Sequence, residues 1–270
     1  MTRDHHRGGE GPPLLLIHGF TATWRTWGPV IEMLEQTFEV FAPTLPGHTG
    51  GPDVDEANLP AAFADGLEAM LDEIGWERPH VAGFSLGGQL ALELGVRDRV
   101  RSITAIAPGG AHGEALEREI KRIGRQFGLN HLAARRFDKV NARFGTSPAF
   151  RRATLRDMMV DGARVPAEEA LALARAFAET PVFKAFLDPG LDRGLRNLDR
   201  ITVPTTVLWG DRDRVLPSAK HEAFFRDALP GATFHTLKRA GHVPFWDAPE
   251  RVADGITQTA LGADRARATA

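Results

Sequence analysis

No cysteine occurs among the 270 residues. Disulfides, thiolate metal ligands and a cysteine nucleophile are therefore excluded, and a reducing, cytoplasmic location is the expectation. Serine is also scarce, present only as Ser85, Ser102, Ser147 and Ser218. No apolar run reaches the roughly 18 residues that a membrane span needs. The opening MTRDHHRGGEGPP lacks the apolar core of a secretory signal, so none is expected. Neither sign of charge dominates: the formal net charge is −2, which gives no reason to expect nucleic acid or an anionic membrane as a partner.

What is present is ordinary globular material, 43% hydrophobic and 25% charged. A chain of 270 residues buries a large core, and one domain carrying an insertion suits that length. Leu14-Leu15-Leu16-Ile17, closed by His18-Gly19, reads as a strand buried on both faces, as in a parallel sheet. Gly28-Pro29 opens a short helix, and residues 38–42 form a second strand. Phe63, Leu67, Met70, Leu71 and Ile74 share one helical face that stops at Gly75. Further strands are predicted at 80–84, 103–107, 204–209 and 232–237, with helices at 86–96, after Ser218, and from Asp247 to Ala260. The polar stretch before Leu14 predicts that any leading antiparallel strands are truncated or absent.

Between residues 111 and 197 the texture changes to arginine-rich helical segments, with breaks expected at Gly128, Ser147-Pro148, Val165-Pro166 and Thr180-Pro181. The layout is thus a mostly parallel, doubly wound α/β sheet formed by residues 1–110 and 198–270, interrupted by a helical cap at 111–197. That cap carries about five net positive charges, which leaves the rest of the chain acidic. The plain reading is a solvated surface; the sharper one is a landing site for an acidic carrier protein. Met158, Met159, Phe177, Phe183 and Phe186 are candidates to line an apolar pocket beneath it.

The segment HVAGFSLGGQL places Ser85 between Gly83 and Gly87, at the junction of a predicted strand and a predicted helix. With so few serines, a glycine on both sides at this spacing has a chance expectation of only about 0.04 for the pattern concerned. A strand that turns at once into a helix leaves no room beside it, so its neighbours must be small while the serine is pushed outward. Free N–H groups at the start of that helix can stabilise an oxyanion. A serine hydroxyl needs a base held by a third group. Asp211 or Asp213 in WGDRD, and His242 after Gly241, follow later strands whose C-terminal ends share one sheet edge with Ser85. Ser102, Ser147 and Ser218 have structural readings instead, the last two as helix N-caps. The other histidines show no metal-ligand grouping, so no metal site is expected.

His18-Gly19-Phe20, Gly83-Phe84-Ser85-Leu86-Gly87, Trp209-Gly210-Asp211-Arg212-Asp213 and Gly241-His242, in that order, resemble the α/β-hydrolase superfamily. The resemblance implies Ser85 as nucleophile, His242 as base and then acid, and Asp213 as the group orienting the histidine. It also implies an oxyanion hole from the backbone N–H groups of Phe20 and Leu86. His18 is implied beside the pocket, most simply shaping the oxyanion loop, and His48 falls in a turn near the same edge. Asp211 is an alternative acid, as are Asp188 and Asp192 late in the cap.

Hydrolysis of a small carboxylic ester through an acyl-enzyme, with no cofactor, is the expected activity. Serine at the elbow disfavours the aspartate-nucleophile epoxide hydrolases and dehalogenases of the superfamily. Carbon–carbon bond hydrolysis and cofactor-free peracid formation use the same triad, and a substrate panel separates them from ester cleavage. An acyltransferase would transfer to added alcohols or thiols. A receptor-like binding protein would hold ligand with almost no turnover.

Overall fold

A computed structural model describes residues 5–136 and 143–269. Seven strands form one sheet in the order β1-β3-β2-β4-β5-β6-β7. They are β1 (His5–Gly8), β2 (Pro13–Ile17), β3 (Glu39–Pro43), β4 (His80–Phe84), β5 (Ser102–Ile106), β6 (Thr205–Gly210) and β7 (Thr233–Leu237). All neighbours are parallel except β1, which runs antiparallel to β3 with His6 opposite Ala42. Of the expected alternatives, truncated or absent leading antiparallel strands, absence is corrected: one short strand of four residues is present. Its sequence, HHRG, has no apolar signal, and pairing with the edge of β3 decides its conformation.

Alternation along β2 supplies both faces of the sheet. Leu15 and Ile17 pack with Phe63, Leu67, Leu71 and Leu90, from α2 (Ala61–Glu73) and α3 (Leu86–Val96). Leu14 and Leu16 pack with Trp27, Val30, Leu34, Val252 and Ile256, mostly from α1 (Gly28–Leu34) and the C-terminal helix. Leu14, Leu15, Leu16 and Ile17 are all fully buried, each contributing about 1.5–3 kcal/mol of apolar transfer energy. From the edge strand β1 the chain passes to β2, returns to β3 between them, then crosses to β4 on the other side of β2. The C-terminal ends of β2 and β4 thus bound the crevice where strand order reverses, the usual ligand position in such sheets.

Between β5 and β6 lie α4 (Glu114–Arg136), α5 (Pro148–Thr154), α6 (Ala167–Glu179) and α7 (Phe183–Phe186), with no strand among the described residues. α4 passes through Gly128 without interruption, against the expected break. A Cβ at Gly124 or Gly128 would meet nothing within 4 Å, so these glycines only weaken an otherwise strong helix. Ser147 caps α5 as expected, accepting the Phe150 N–H at 3.5 Å. Ser218 does not cap α8 (Ser218–Ala228); Pro217 holds the cap position and Ser218 is the first helical residue. The last helix, α9, runs from Pro249 to Ala268, later at both ends than expected. No helix of the described residues is long and apolar enough to cross a membrane.

The helical segment meets the sheet's C-terminal edge at several points. The Val182 N–H donates to the Gly47 carbonyl at 3.1 Å, and the Val243 N–H donates to the Met158 carbonyl at 2.8 Å. From α3, the Gln89 amide donates to the Arg193 carbonyl at 2.8 Å.

Candidate active site

Ser85 lies between β4 and α3 with φ 55° and ψ −113°, a conformation that L-residues avoid. Neighbouring backbone holds it there. Its N–H donates to Ile106 at 2.9 Å, and its carbonyl accepts from Gln89 at 3.0 Å and Gly109 at 2.9 Å. The flanking glycines are required by space. A Cβ on Gly83 would sit 2.0 Å from the Gly87 carbonyl oxygen, and one on Gly87 would sit 2.0 Å from that of Ile17. The Ser85 hydroxyl makes no capping bond to α3.

That hydroxyl instead lies 3.1 Å from His242 Nε2. His242 Nδ1 donates to Asp213 Oδ2 at 2.8 Å. The second carboxylate oxygen, Oδ1, accepts the Val215 and Leu216 N–H groups at 2.9 and 2.8 Å. Asp213 and His242 are buried, at 7% and 3% exposure, so the pair is shielded from competing water. Asp211 is exposed and accepts the Ala240 N–H at 3.4 Å. Asp188 accepts the N–H of Gly190, while Asp192 accepts that of Gly194 and pairs with Arg196. Of the four candidate acids, Asp213 is the one bonded to His242.

The same residue types meet a second time at the opposite end of the sheet. His80, at the start of β4, lies 2.8 Å from Ser102 Oγ and 3.2 Å from Asp264 of α9. Here Ser102 is 1% exposed at the start of an ordinary strand, so no substrate reaches it. The strained elbow, not the three residue types, makes Ser85 accessible.

Both ring nitrogens of His18 are bonded to backbone. It is fully buried; Nδ1 donates to the Gly19 carbonyl at 2.7 Å and Nε2 accepts the Leu45 N–H at 2.9 Å. Burial, helped by neighbouring His48, holds its pKa well below the ordinary value. His48, also buried, donates from Nδ1 to Pro46 at 3.0 Å, and burial lowers its pKa to about 4. Both rings act as neutral struts behind the turn in which Ala22 donates to Gly19 at 3.1 Å and which carries Phe20.

The remaining pocket candidates fall into two groups. Phe183 and Phe186 cover Phe20, with ring centroids 5.5 and 4.4 Å away, and Phe177 lies 6.0 Å from Phe183. Met158 and Met159 sit on the other flank, against Gly241. Leu86 is buried as the first residue of α3, where backbone N–H groups have no partner within the helix.

Two contacts were not legible in the sequence. The Trp209 indole N–H donates to Asp213 Oδ2 at 3.2 Å and to the Leu216 carbonyl at 2.9 Å. Asp247, expected to begin the last helix, instead accepts the N–H groups of Val160 at 2.9 Å, Asp161 at 3.3 Å and Gly241 at 2.9 Å. Its position five residues after His242 was the available signal.

The sequence model of the alpha/beta hydrolase family matches residues 14–255. Epoxide hydrolase EphH of Mycobacterium tuberculosis is 32% identical over 212 residues, spanning 73% of this chain and 92% of that protein. The pimeloyl-[acyl-carrier protein] methyl ester esterase of Nitrosomonas europaea is 28% identical over 90% of this chain and 93% of its own length. Among solved structures, the thermophilic esterase from Thermogutta terrifontis superposes with a TM-score of 0.70. It is 22% identical and covers 96% of this chain and 93% of that one, a likeness that speaks for the fold alone.

Proposed function

The chain belongs to the alpha/beta hydrolase family, and on that premise we propose that it cleaves carboxylic esters through an acyl-enzyme on Ser85. The observation that carries this reading is the continuous line from Ser85 Oγ through His242 to Asp213, at 3.1 and 2.8 Å. Ser85 Oγ adds to the acyl carbon as His242 Nε2 takes its proton. Asp213 keeps Nδ1 protonated, so that Nε2 is free to act as base, and stabilises the imidazolium that forms. The N–H groups of Phe20 and Leu86 hold the oxyanion. His242 then returns the proton to the departing alkoxide. A water deprotonated by His242 attacks the acyl-enzyme, and His242 passes that proton to Ser85 Oγ as the acyl–oxygen bond breaks and the acid leaves.

Residues 111–197 serve as a cap on the core formed by 1–110 and 198–270, with Phe177, Phe183 and Phe186 walling one side of the pocket and Met158 and Met159 the other. An apolar lining suits a small-molecule ester with a hydrophobic acyl or alcohol part. The methyl ester esterase relative acts, by its name, on a carrier-linked ester. Together with the cap's positive excess, this supports an acidic carrier protein as the form in which such an ester is delivered.

The test is hydrolysis of p-nitrophenyl esters from acetate to decanoate, wild type beside Ser85→Ala. Loss of roughly 10⁴-fold or more in kcat in the variant supports the reading. Full activity in the variant, or an inert wild type, defeats it. A terminal epoxide belongs in the same panel because of the epoxide hydrolase relative: turnover of the epoxide and of no ester would transfer that activity to this chain.

A further inference from the structure

We propose that Trp209 is a positioning residue for His242, acting through the shared carboxylate oxygen of Asp213. This inference rests on the acyl-enzyme reading above. Asp213 Oδ2 accepts two donors at once: His242 Nδ1–H at 2.8 Å and the Trp209 indole N–H at 3.2 Å. The indole N–H also donates to the Leu216 carbonyl at 2.9 Å, while the Leu216 N–H donates to Asp213 Oδ1 at 2.8 Å. Carboxylate, turn and indole therefore form one closed network, and the indole is its only side-chain donor besides the imidazole among the described residues.

The indole is fixed by packing. Trp209 is the penultimate residue of β6 and 1% exposed, with Phe225 of α8 at a centroid distance of 6.0 Å. β6 is the strand that places Asp213, so the donor and its carboxylate share one rigid frame. Two effects follow. The indole restricts rotation of the carboxylate, which keeps Oδ2 in line with Nδ1. It also draws on the negative charge that Oδ2 offers the imidazolium, because a hydrogen bond to the charged form stabilises that form on its own.

Other charged and titratable groups face this network from neighbouring elements. His221 of α8 lies beside Trp209, at a centroid distance of 6.5 Å. Its pKa is lowered chiefly by burial, with Asp213, Glu119, His242 and Lys220 acting on it in turn. Asp247 approaches from the far side of the His242 loop through the Gly241 N–H. Removal of the indole N–H leaves all of these in place.

Trp209→Phe keeps an aromatic ring and deletes the donor. Without it Asp213 holds the imidazolium more strongly, so the acid limb of the kcat/KM profile moves to higher pH, by about half a unit. Looser geometry lowers kcat roughly 3- to 10-fold while KM stays within about twofold, as expected when a transition-state interaction alone is lost. Phe225→Leu disturbs the same packing and leaves the N–H intact; it is expected to lower Tm without moving the acid limb. In wild-type protein, the indole ¹H–¹⁵N resonance of Trp209 is expected to titrate with the same midpoint as kcat/KM, a measurement that needs no variant to fold.

An unshifted acid limb in Trp209→Phe, an equal shift in Phe225→Leu, or an indole resonance that ignores pH overturns the proposal. If Ser85→Ala is inactive and Trp209→Phe behaves as wild type, only the Trp209 assignment is lost. An active Ser85→Ala removes the acyl-enzyme reading itself, and the assignment with it.

Discussion

Asp247 reaches across its own loop to accept the backbone N–H of Gly241 at 2.9 Å, the residue immediately before His242. The same carboxylate accepts the N–H groups of Val160 and Asp161, so it fastens the inserted helical segment to the histidine loop. Asp247→Ala leaves three backbone donors without their acceptor, at about 1–3 kcal/mol for each that stays buried. The expected result is a Tm lowered by several degrees together with lower kcat. Hydrogen exchange should speed up at residues 160–161 and 241 at once. Faster exchange at only one of the two segments would show that Asp247 does not join them.

Asp211 and Asp213 are two residues apart yet occupy different surroundings. Asp213→Asn is expected to lower kcat by roughly 10⁴-fold, because an amide disrupts the Nδ1 donor geometry on which the tautomer depends. Asp211→Asn should stay within about threefold of wild type, since among the described residues its side chain bonds only to the Ala240 N–H, at 3.4 Å. Kinetics of both variants on one ester decide the matter; comparable losses would refute the assignment.

Glycines in this chain predict opposite effects according to their surroundings. Gly83→Ala and Gly87→Ala place a methyl 2.0 Å from a backbone oxygen, and insoluble or unfolded protein is expected from either. Gly128→Ala meets nothing within 4 Å inside α4 and is expected to stabilise by about 0.5–1 kcal/mol. Urea titration measures the second, and soluble yield the first.

Acid should destabilise the fold through its buried histidines. His18, His48 and His80 all have folded pKa values below the ordinary 6.5, chiefly through burial. The unfolded chain therefore binds more protons than the folded one as pH falls below about 6.5, and stability drops in that direction. For His48 the gap from 6.5 to about 4 corresponds to about 3 kcal/mol once both states are protonated. The urea midpoint is expected to fall between pH 7.5 and 5.0; an unchanged midpoint would refute this account.

The sequence made β4, the elbow and α3 legible because their signals are local: five buried residues, two glycines and a serine, then a helix that spans 86–96 as expected. Ser85 and His242 were legible from motif and order. Asp213 was favoured over Asp211 by spacing, and the three-dimensional turn supplies the reason. What escaped depends on partners distant in the chain. β1 is a strand because β3 offers it an unpaired edge. Asp247 is a ligand of backbone because the helical segment descends onto it. The bond from the Leu45 N–H to the His18 ring joins residues 27 apart in the chain and had no local signal. The Trp209 bond arises because the chain doubles back after β6, which no side-chain pattern announces.

β7 is an edge strand, paired on one side only, and most of its residues are exposed. The histidine loop hangs from its end, while Ser85 belongs to the sheet's interior. Fraying at an edge requires far less free energy than global opening. On the proposed mechanism turnover therefore depends on an edge of the sheet, and mild denaturant is expected to silence it while the interior strands remain closed.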